Sequence, residues 1–407
     1  MTKPLDGVCV LDLSRILAGP FASQTLADLG ATVIKVERPG SGDDTRSWGP
    51  PFFESEDGGG YQDAAYFLSA NRGKKSVTID FTKPDGAQLV LQLAQQADVL
   101  IENFKTGGLA KYGLGYDGVR EVNPSIVYCS ITGFGYTGPY SDRVGYDFMI
   151  QGMSGLMSIT GEPDSVAGGA PTKVGVAVSD LFTGLYSTVG ILAALRHRDR
   201  TGEGQHMDMA LLDSQVGVLA NQALNYLSTG DAPPRLGNAH PNIVPYQVFA
   251  TADGHVILAV GNDSQFRKFC ETARCAQLAD DERFVTNALR VHHRDALVDL
   301  LIPIFAGREA DDWISALQAA GVPCGPIHDI AQTFDDEQVK ARGLAVSLEH
   351  PKFGSVPSVA CPIRYSATPL THDVPPPMLG EHVDEVLSEM LGLSKARLRE
   401  LKDGGVI

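Results

Sequence analysis

Asp180 is the side chain in this sequence best placed to act as a nucleophile. It closes the segment Lys173-Val174-Gly175-Val176-Ala177-Val178-Ser179-Asp180 and opens an uncharged run over residues 181–195. The pattern predicts an apolar strand that delivers the carboxylate to a chain reversal, with a helix beginning directly after it. Backbone N–H groups of a first helical turn lack intrahelical partners and carry the positive end of the helix dipole, so a carboxylate there stays ionised and held in place. A carboxylate in that position suits covalent catalysis. The plainer alternative is an ordinary N-cap, because Asp is a preferred capping residue. The cations that an anionic ligand needs collect in the first quarter of the chain: Lys35, Arg38, Arg46, Arg72, Lys74, Lys75, Lys105 and Lys111. Scattered Lys and Arg usually mark solvated surface, so the elements that carry them decide their meaning.

Residues 8–11 form a compact apolar strand, 20–29 a helix started by Pro20 and stopped by Gly30, and 32–36 a second strand. Strand, helix and strand joined by short links make a parallel pair. The alternation continues through a strand at 76–79 and a helix with Val90, Leu93, Ala94 and Ala97 on one face, then strands at 99–101 and 126–131. The fold class is therefore α/β: a doubly wound, Rossmann-like large domain, with ligands expected outside the carboxyl ends of the strands. Arg15, Arg38 and Lys105 each follow a strand end and could converge on one phosphate-bearing ligand. No G-x-G-x-x-G follows the first strand, where Ser14-Arg15-Ile16-Leu17-Ala18-Gly19-Pro20 stands, so a dinucleotide fingerprint is absent.

An apolar strand at 207–211 and a helix from 214 to about 227 follow a polar turn. Gly230 to Pro234 then marks the crossing into a second, smaller α+β domain with a strand at 255–260 and a helix carrying Trp313, Ala316, Leu317 and Ala320, stopped at Gly321. The organisation read from these signals is a large domain over 1–200, a linker helix region over 201–232, a small domain over 233–330, a return linker over 331–375 and a helical C-terminus over 376–407 packed on the large domain. At 407 residues, with 43% hydrophobic and 20% charged residues, the chain is globular and long enough for two domains. A net charge of −16 argues against nucleic acid as a partner. The six cysteines have neither C-x-x-C pairing nor metal-ligand spacing, so reduced thiols and no metal are expected. No stretch approaches the unbroken apolar length of a bilayer span, and the run 181–195 is interrupted by Thr183, Gly184, Ser187, Thr188 and Gly190. Without an apolar signal region at the start, a cytoplasmic protein with no membrane partner is expected.

A resemblance now becomes specific. Ala18-Gly19-Pro20, Asn71-Arg72-Gly73-Lys74-Lys75-Ser76, Glu102-Asn103-Phe104, Asp180 before its helix, Thr201-Gly202-Glu203-Gly204-Gln205, Gly321-Val322-Pro323-Cys324-Gly325-Pro326 and Leu379-Gly380-Glu381-His382 occur in this order. Together they resemble the class III CoA-transferases, a family that also holds formyl-CoA transferase, carnitine CoA-transferase and the alpha-methylacyl-CoA racemases. The resemblance implies that Asp180 attacks an acyl-CoA thioester, and that Arg38, Arg72, Lys75, Asn103, Phe104 and Lys111 hold coenzyme A. It implies no permanently bound cofactor, CoA esters and small organic acids as substrates, and an interlocked homodimer.

Departures from the family pattern narrow the activity. The segment Gly261-Asn262-Asp263-Ser264-Gln265-Phe266 has one glycine where formyl-CoA transferase has a glycine run. Tyr146 precedes Asp147 where the racemases carry a His that moves protons, and a phenol, titrating near ~10, is a poor base at neutral pH. A racemase, or a binding relative without turnover, is the competing reading. Residues 239–247, 261–266 and 289–294 are similar instead to the succinyl-CoA:glutarate branch. A dicarboxylic acid needs a cation or donor for its distal carboxylate, for which Arg15, Arg46, Tyr146, Arg235 and His240 are the candidates.

Overall fold

The computed structural model describes residues 3–55, 58 and 60–407. The chain divides into one unit of residues 1–154, 175–218 and 337–407 and a second of 155–174 and 219–336. The first unit is built on six parallel strands: β1 (Cys9–Asp12), β2 (Thr32–Glu37), β3 (Lys74–Thr78), β4 (Val99–Glu102), β5 (Val127–Thr132) and β6 (Gln205–Ala210), in spatial order β3-β2-β1-β4-β5-β6. That order reverses direction at β1, which leaves a crevice beyond the carboxyl ends of β1 and β4.

Both faces of this sheet are covered, which explains why its strands read as continuous apolar runs. Neighbouring side chains point to opposite faces. Val10, Val33, Val99 and Val127 pack with α1 (Ala18–Asp28) and the long helix α4 (Val178–Thr201), while Leu11, Ile34, Leu100 and Tyr128 pack with α2 (Pro84–Gln96). The C-terminal helices α8 (Val383–Leu391) and α9 (Lys395–Asp403) close the α2 side through Val383, Leu387, Leu398 and Leu401. They are separated by Gly392, whose φ of +66° ends α8 and which an L-residue adopts only with strain.

The second unit has its own core. Strands β7 (Tyr246–Ala250), β8 (His255–Ala259) and β9 (Cys324–Gly325) form an antiparallel sheet in the order β9-β8-β7. Phe249 stacks on Phe305 at 4.4 Å, and α7 (Ala310–Ala319) sends the Trp313 indole N–H to the Phe305 carbonyl at 3.1 Å.

Several boundaries differ from the expectation. β6 belongs to the large sheet, the crossing falls between Val218 and Leu219, and residues 155–174 are part of the second unit. The helix expected from 214 to 227 is two helices, α5 (Leu211–Gly217) and α6 (Ala220–Thr229), broken where Ala220 takes a φ of +47°. The return segment is not structureless: strands β10 (Ala345–His350) and β11 (Gly354–Val359) make a hairpin in the first unit. Helix α4, with three residues before and six after the run 181–195, is by length and composition long enough to cross a membrane, contrary to the sequence reading. Here one side of it lies against α1 and the sheet. All six cysteines are free thiols.

Candidate active site

Asp180 is the third residue of α4 and not its cap. The N-cap position is Ala177, which offers no side chain to the helix. The start of α4 is held from outside instead. Asp147, the first residue of α3 (Asp147–Met153), accepts the Ser179 N–H at 2.8 Å and the Gln151 side-chain amide at 2.8 Å, and the Ser179 hydroxyl donates to Gln215 of α5 at 2.9 Å. The expected strand before Asp180 does not form. Residues 173–177 are irregular, Val176 is 57% exposed, and the segment pairs with no described strand. Apolar alternation makes a strand only where a sheet edge accepts its hydrogen bonds.

The carboxylate is not simply kept ionised either. Burial, and then the neighbouring charge of Asp147, push Asp180 up to about 7. No side chain among the described residues pairs with it. The helix dipole is spent on Asp147, which takes the free N–H of Ser179. A carboxylate raised into the neutral range is more basic and less solvated than an ordinary one, so it is a stronger nucleophile once deprotonated. Tyr66 is on the same side: burial, then the charges of Asp180 and Asp147, push its phenol up to about 12.

Asp180 lines a cleft of about 390 Å³ in the first unit together with Arg15, Asn103, Phe104, Lys105, Arg143 and Tyr146. A second depression shares Arg15 and Phe104 with it and adds Arg38, Asp80, Phe81 and Thr82. The two make one groove over the carboxyl ends of β1 to β5. Asn103 fixes its floor, accepting the Arg15 N–H at 2.8 Å and donating to the Arg15 carbonyl at 2.6 Å. Phe104 packs edge-on to Phe81 at 5.5 Å and Phe81 to Tyr112 at 5.7 Å. Cations flank this aromatic row: Arg15 lies 5.5 Å over Phe104, and the Lys111 ammonium 4.8 Å over Tyr112. Such a surface can take a flat ring and phosphates together.

Four of the expected coenzyme contacts, Arg38, Asn103, Phe104 and Lys111, thus belong to this groove or its aromatic extension. Arg72 and Lys75 do not, and the expectation for them is corrected. They precede and begin β3, at the amino end of the sheet. Arg72 makes a bidentate pair with Asp28 at 2.6 and 2.9 Å, and Lys75 pairs with Glu385 at 2.5 Å. Arg46 is corrected as well: it is 6% exposed, held by Glu37 and Asp63, and its guanidinium covers Phe67 at 3.6 Å. Arg15 has Asp44 as partner at 2.7 Å yet stays partly exposed in the groove, and Tyr146 is 59% exposed beside Asp180. Arg235 and His240 belong to the second unit. There Arg235 pairs with Asp164 and donates to the Glu162 carbonyl, and His240 packs against Tyr246 at 5.3 Å.

The sequence reading gave Asp147 no role of its own and missed Tyr66, Phe81 and Arg143. Among the described residues Arg143 has no carboxylate partner, and it stacks on Tyr140 at 3.8 Å. Its only sequence signal was its place between a strand and a helix, shared by many basic residues.

Comparison with known proteins is consistent across three kinds of match. A family model described as CoA-transferase family III matches residues 5–383. A succinate–glutarate CoA-transferase of Agrobacterium fabrum is 55% identical over 387 residues, 95% of this chain and 96% of that protein. The succinyl-CoA:glutarate CoA-transferase of Homo sapiens is 44% identical over 405 residues, 100% of this chain and 90% of that one. The crystal structure of a CAIB/BAIF family protein from Brucella suis matches with a TM-score of 0.83 at 52% identity, covering 96% of this chain and 100% of that chain.

Proposed function

The chain belongs to CoA-transferase family III, and from that premise we propose that it moves coenzyme A between small dicarboxylic acids, with succinyl-CoA or a similar dicarboxylyl-CoA as donor. The observation that carries the reading is Asp180, an unpaired carboxylate raised to about 7 in a groove lined by cations and aromatic rings. The relatives named for succinate and glutarate supply the substrate class.

In the proposed reaction an Asp180 oxygen attacks the thioester carbon, the C–S bond breaks, and CoA leaves as thiolate. The thiolate then attacks the Asp180 carboxyl carbon of the resulting anhydride, releasing the donor acid and leaving an aspartyl-CoA thioester. The acceptor carboxylate attacks that thioester, and the thiolate, freed again, takes the acceptor acyl group and regenerates Asp180. Each covalent step conserves an activated acyl bond, so no external energy source is required. CoA esters enter as substrates, and no resident cofactor takes part. Arg38, Arg15, Asn103, Phe104 and Lys111 hold the coenzyme, with Tyr146 beside the acyl group.

The protein works as a homodimer in the cytoplasm on this reading. Supporting the dimer, α4 leaves Phe182, Leu185, Tyr186 and Val189 37–63% exposed along one face, and contiguous exposed apolar side chains mark interaction surfaces. Incubation with succinyl-CoA and glutarate, read by mass spectrometry, should yield glutaryl-CoA. Hydroxylamine trapping should label the peptide holding Asp180. Label on a cysteine, or absence of exchange with every dicarboxylic acid tried, would overturn the proposal.

A further inference from the structure

The turn between β1 and α1 passes beside Asp180 in the same cleft, and one of its residues is in a conformation that its side chain resists. Ile16 has a φ of +72°. A β-branched residue enters the left-handed region only when its surroundings over-determine it, at a cost of roughly 1–3 kcal/mol. Here the surroundings are identifiable. The Ile16 N–H donates to both carboxylate oxygens of Asp43 at 3.2 Å. Asp43 is 2% exposed and faces Lys35, itself fully buried, at 2.9 Å. Lys35 also donates to the Ser14 carbonyl at 2.9 Å, and Asn103 takes both backbone groups of Arg15. Side chains in β2, after β2 and after β4 therefore fix residues 14–16. Among the described residues, the Asp43 carboxylate alone holds the N–H of the strained one.

We propose that Asp43 is a positioning residue for the transfer reaction: by binding the Ile16 N–H it holds the chain left-handed there, so that the backbone of residues 16–18 is presented to the reacting thioester next to Asp180. The inference rests on the reading of Asp180 as nucleophile, and it goes beyond that reading in naming a residue with no substrate contact. Lys35 is part of the device, because it keeps the carboxylate charged and pointing at the turn. Burial alone would raise the Asp43 carboxyl; Lys35 and the Thr45 N–H outweigh it and hold it down at about 2.

The test is a rescue experiment. Asp43→Asn should lower kcat on the order of tenfold or more, as expected when a reacting surface shifts by about an ångström, with the KM for acyl-CoA little changed. Adding Ile16→Gly should recover a substantial part of that loss, because glycine takes a φ of +72° without a steric cost. A general loss of structure would not be repaired by a glycine. Should Asp43→Asn fold poorly with Lys35 left unpaired, the pair Lys35→Met with Asp43→Asn leaves neither charge buried alone, and the same rescue is measured in that background. Unchanged kcat in a folded Asp43 variant, or a double variant no better than its parent, would overturn the proposal. Failure of the underlying reading is distinguishable: it shows as absence of exchange in the unaltered enzyme. Hydrogen exchange at the Ile16 amide, expected to speed up in Asp43→Asn, then still decides whether Asp43 holds the turn.

Discussion

Replacing Asp180 with asparagine should abolish transfer and, at neutral to alkaline pH, make the protein more stable. The carboxyl is raised from the ordinary 3.8 to about 7, by burial first and by Asp147 second. At about 1.36 kcal/mol for each pH unit, ionising Asp180 in the folded chain costs about 4 kcal/mol more than in the unfolded one. The unfolded chain sheds this proton near 3.8 and the folded chain keeps it until about 7, so the folded state binds more protons between these values. Stability therefore falls as pH rises through that window and levels off above it. Asparagine does not titrate. The stability gained by Asp180→Asn should grow from near zero at about pH 4 to at most about 4 kcal/mol at about pH 8, and less where water relaxes around the half-buried group. Urea unfolding at about pH 5 and pH 8 measures it. With Trp313→Phe as background, Trp48 remains as the one tryptophan and reports on the first unit. Equal differences at the two pH values, or a variant less stable than its parent at about pH 8, would refute the reasoning.

The other expectations concern the neighbours of Asp180. Asp147→Asn removes the like charge, so the acid limb of the rate profile should move to lower pH, which a kcat/KM profile from about pH 5 to 9 reads directly. Arg38→Ala should raise the KM for acyl-CoA on the order of tenfold, the effect of about 1.4 kcal/mol, with kcat retained and the loss shrinking in high salt. Arg46→Ala leaves Glu37 and Asp63 buried without their cation, and should lower stability by about 3–5 kcal/mol in denaturant titrations. Arg72→Ala should likewise weaken the fold through Asp28 while the dissociation constant for CoA, measured by calorimetry on folded protein, stays unchanged.

The parallel sheet was legible because its strands are short apolar runs buried on both faces, and because Pro20 and Gly30 mark a helix between the first two. The groove was half legible. Arg15, Arg38 and Lys105 follow strand ends, and ligand crevices lie at those ends. Arg72 and Lys75 lie before the strand expected at 76–79, at the end away from the crevice, so the strand pattern already spoke against them and only the family resemblance proposed them. Residues 173–177 were misread because alternation of valine with small residues looks the same whether or not a sheet edge is free to pair with it. Asp147 was noticed only as the neighbour of Tyr146, since its role depends on contact across 32 positions with the N–H of Ser179, which no local pattern encodes.

Two populations of charge surround the sheet that carries the groove, and they answer differently to the surrounding electrolyte. Lys35–Asp43, Lys74–Asp12 and the Arg46 cluster with Glu37 and Asp63 are at most 6% exposed. Counter-ions reach them only through protein, so the Debye length of about 8 Å at physiological ionic strength, or about 3 Å at 1 M salt, does not apply to them. Arg38 and Lys105 stand in water and are screened. Ionic strength is thus a dial that loosens the coenzyme without loosening the scaffold. A relative adapted to concentrated brine would need to shift its hold on CoA from these outer cations to stacking of the kind Phe81 and Phe104 offer, while leaving the inner pairs as they are.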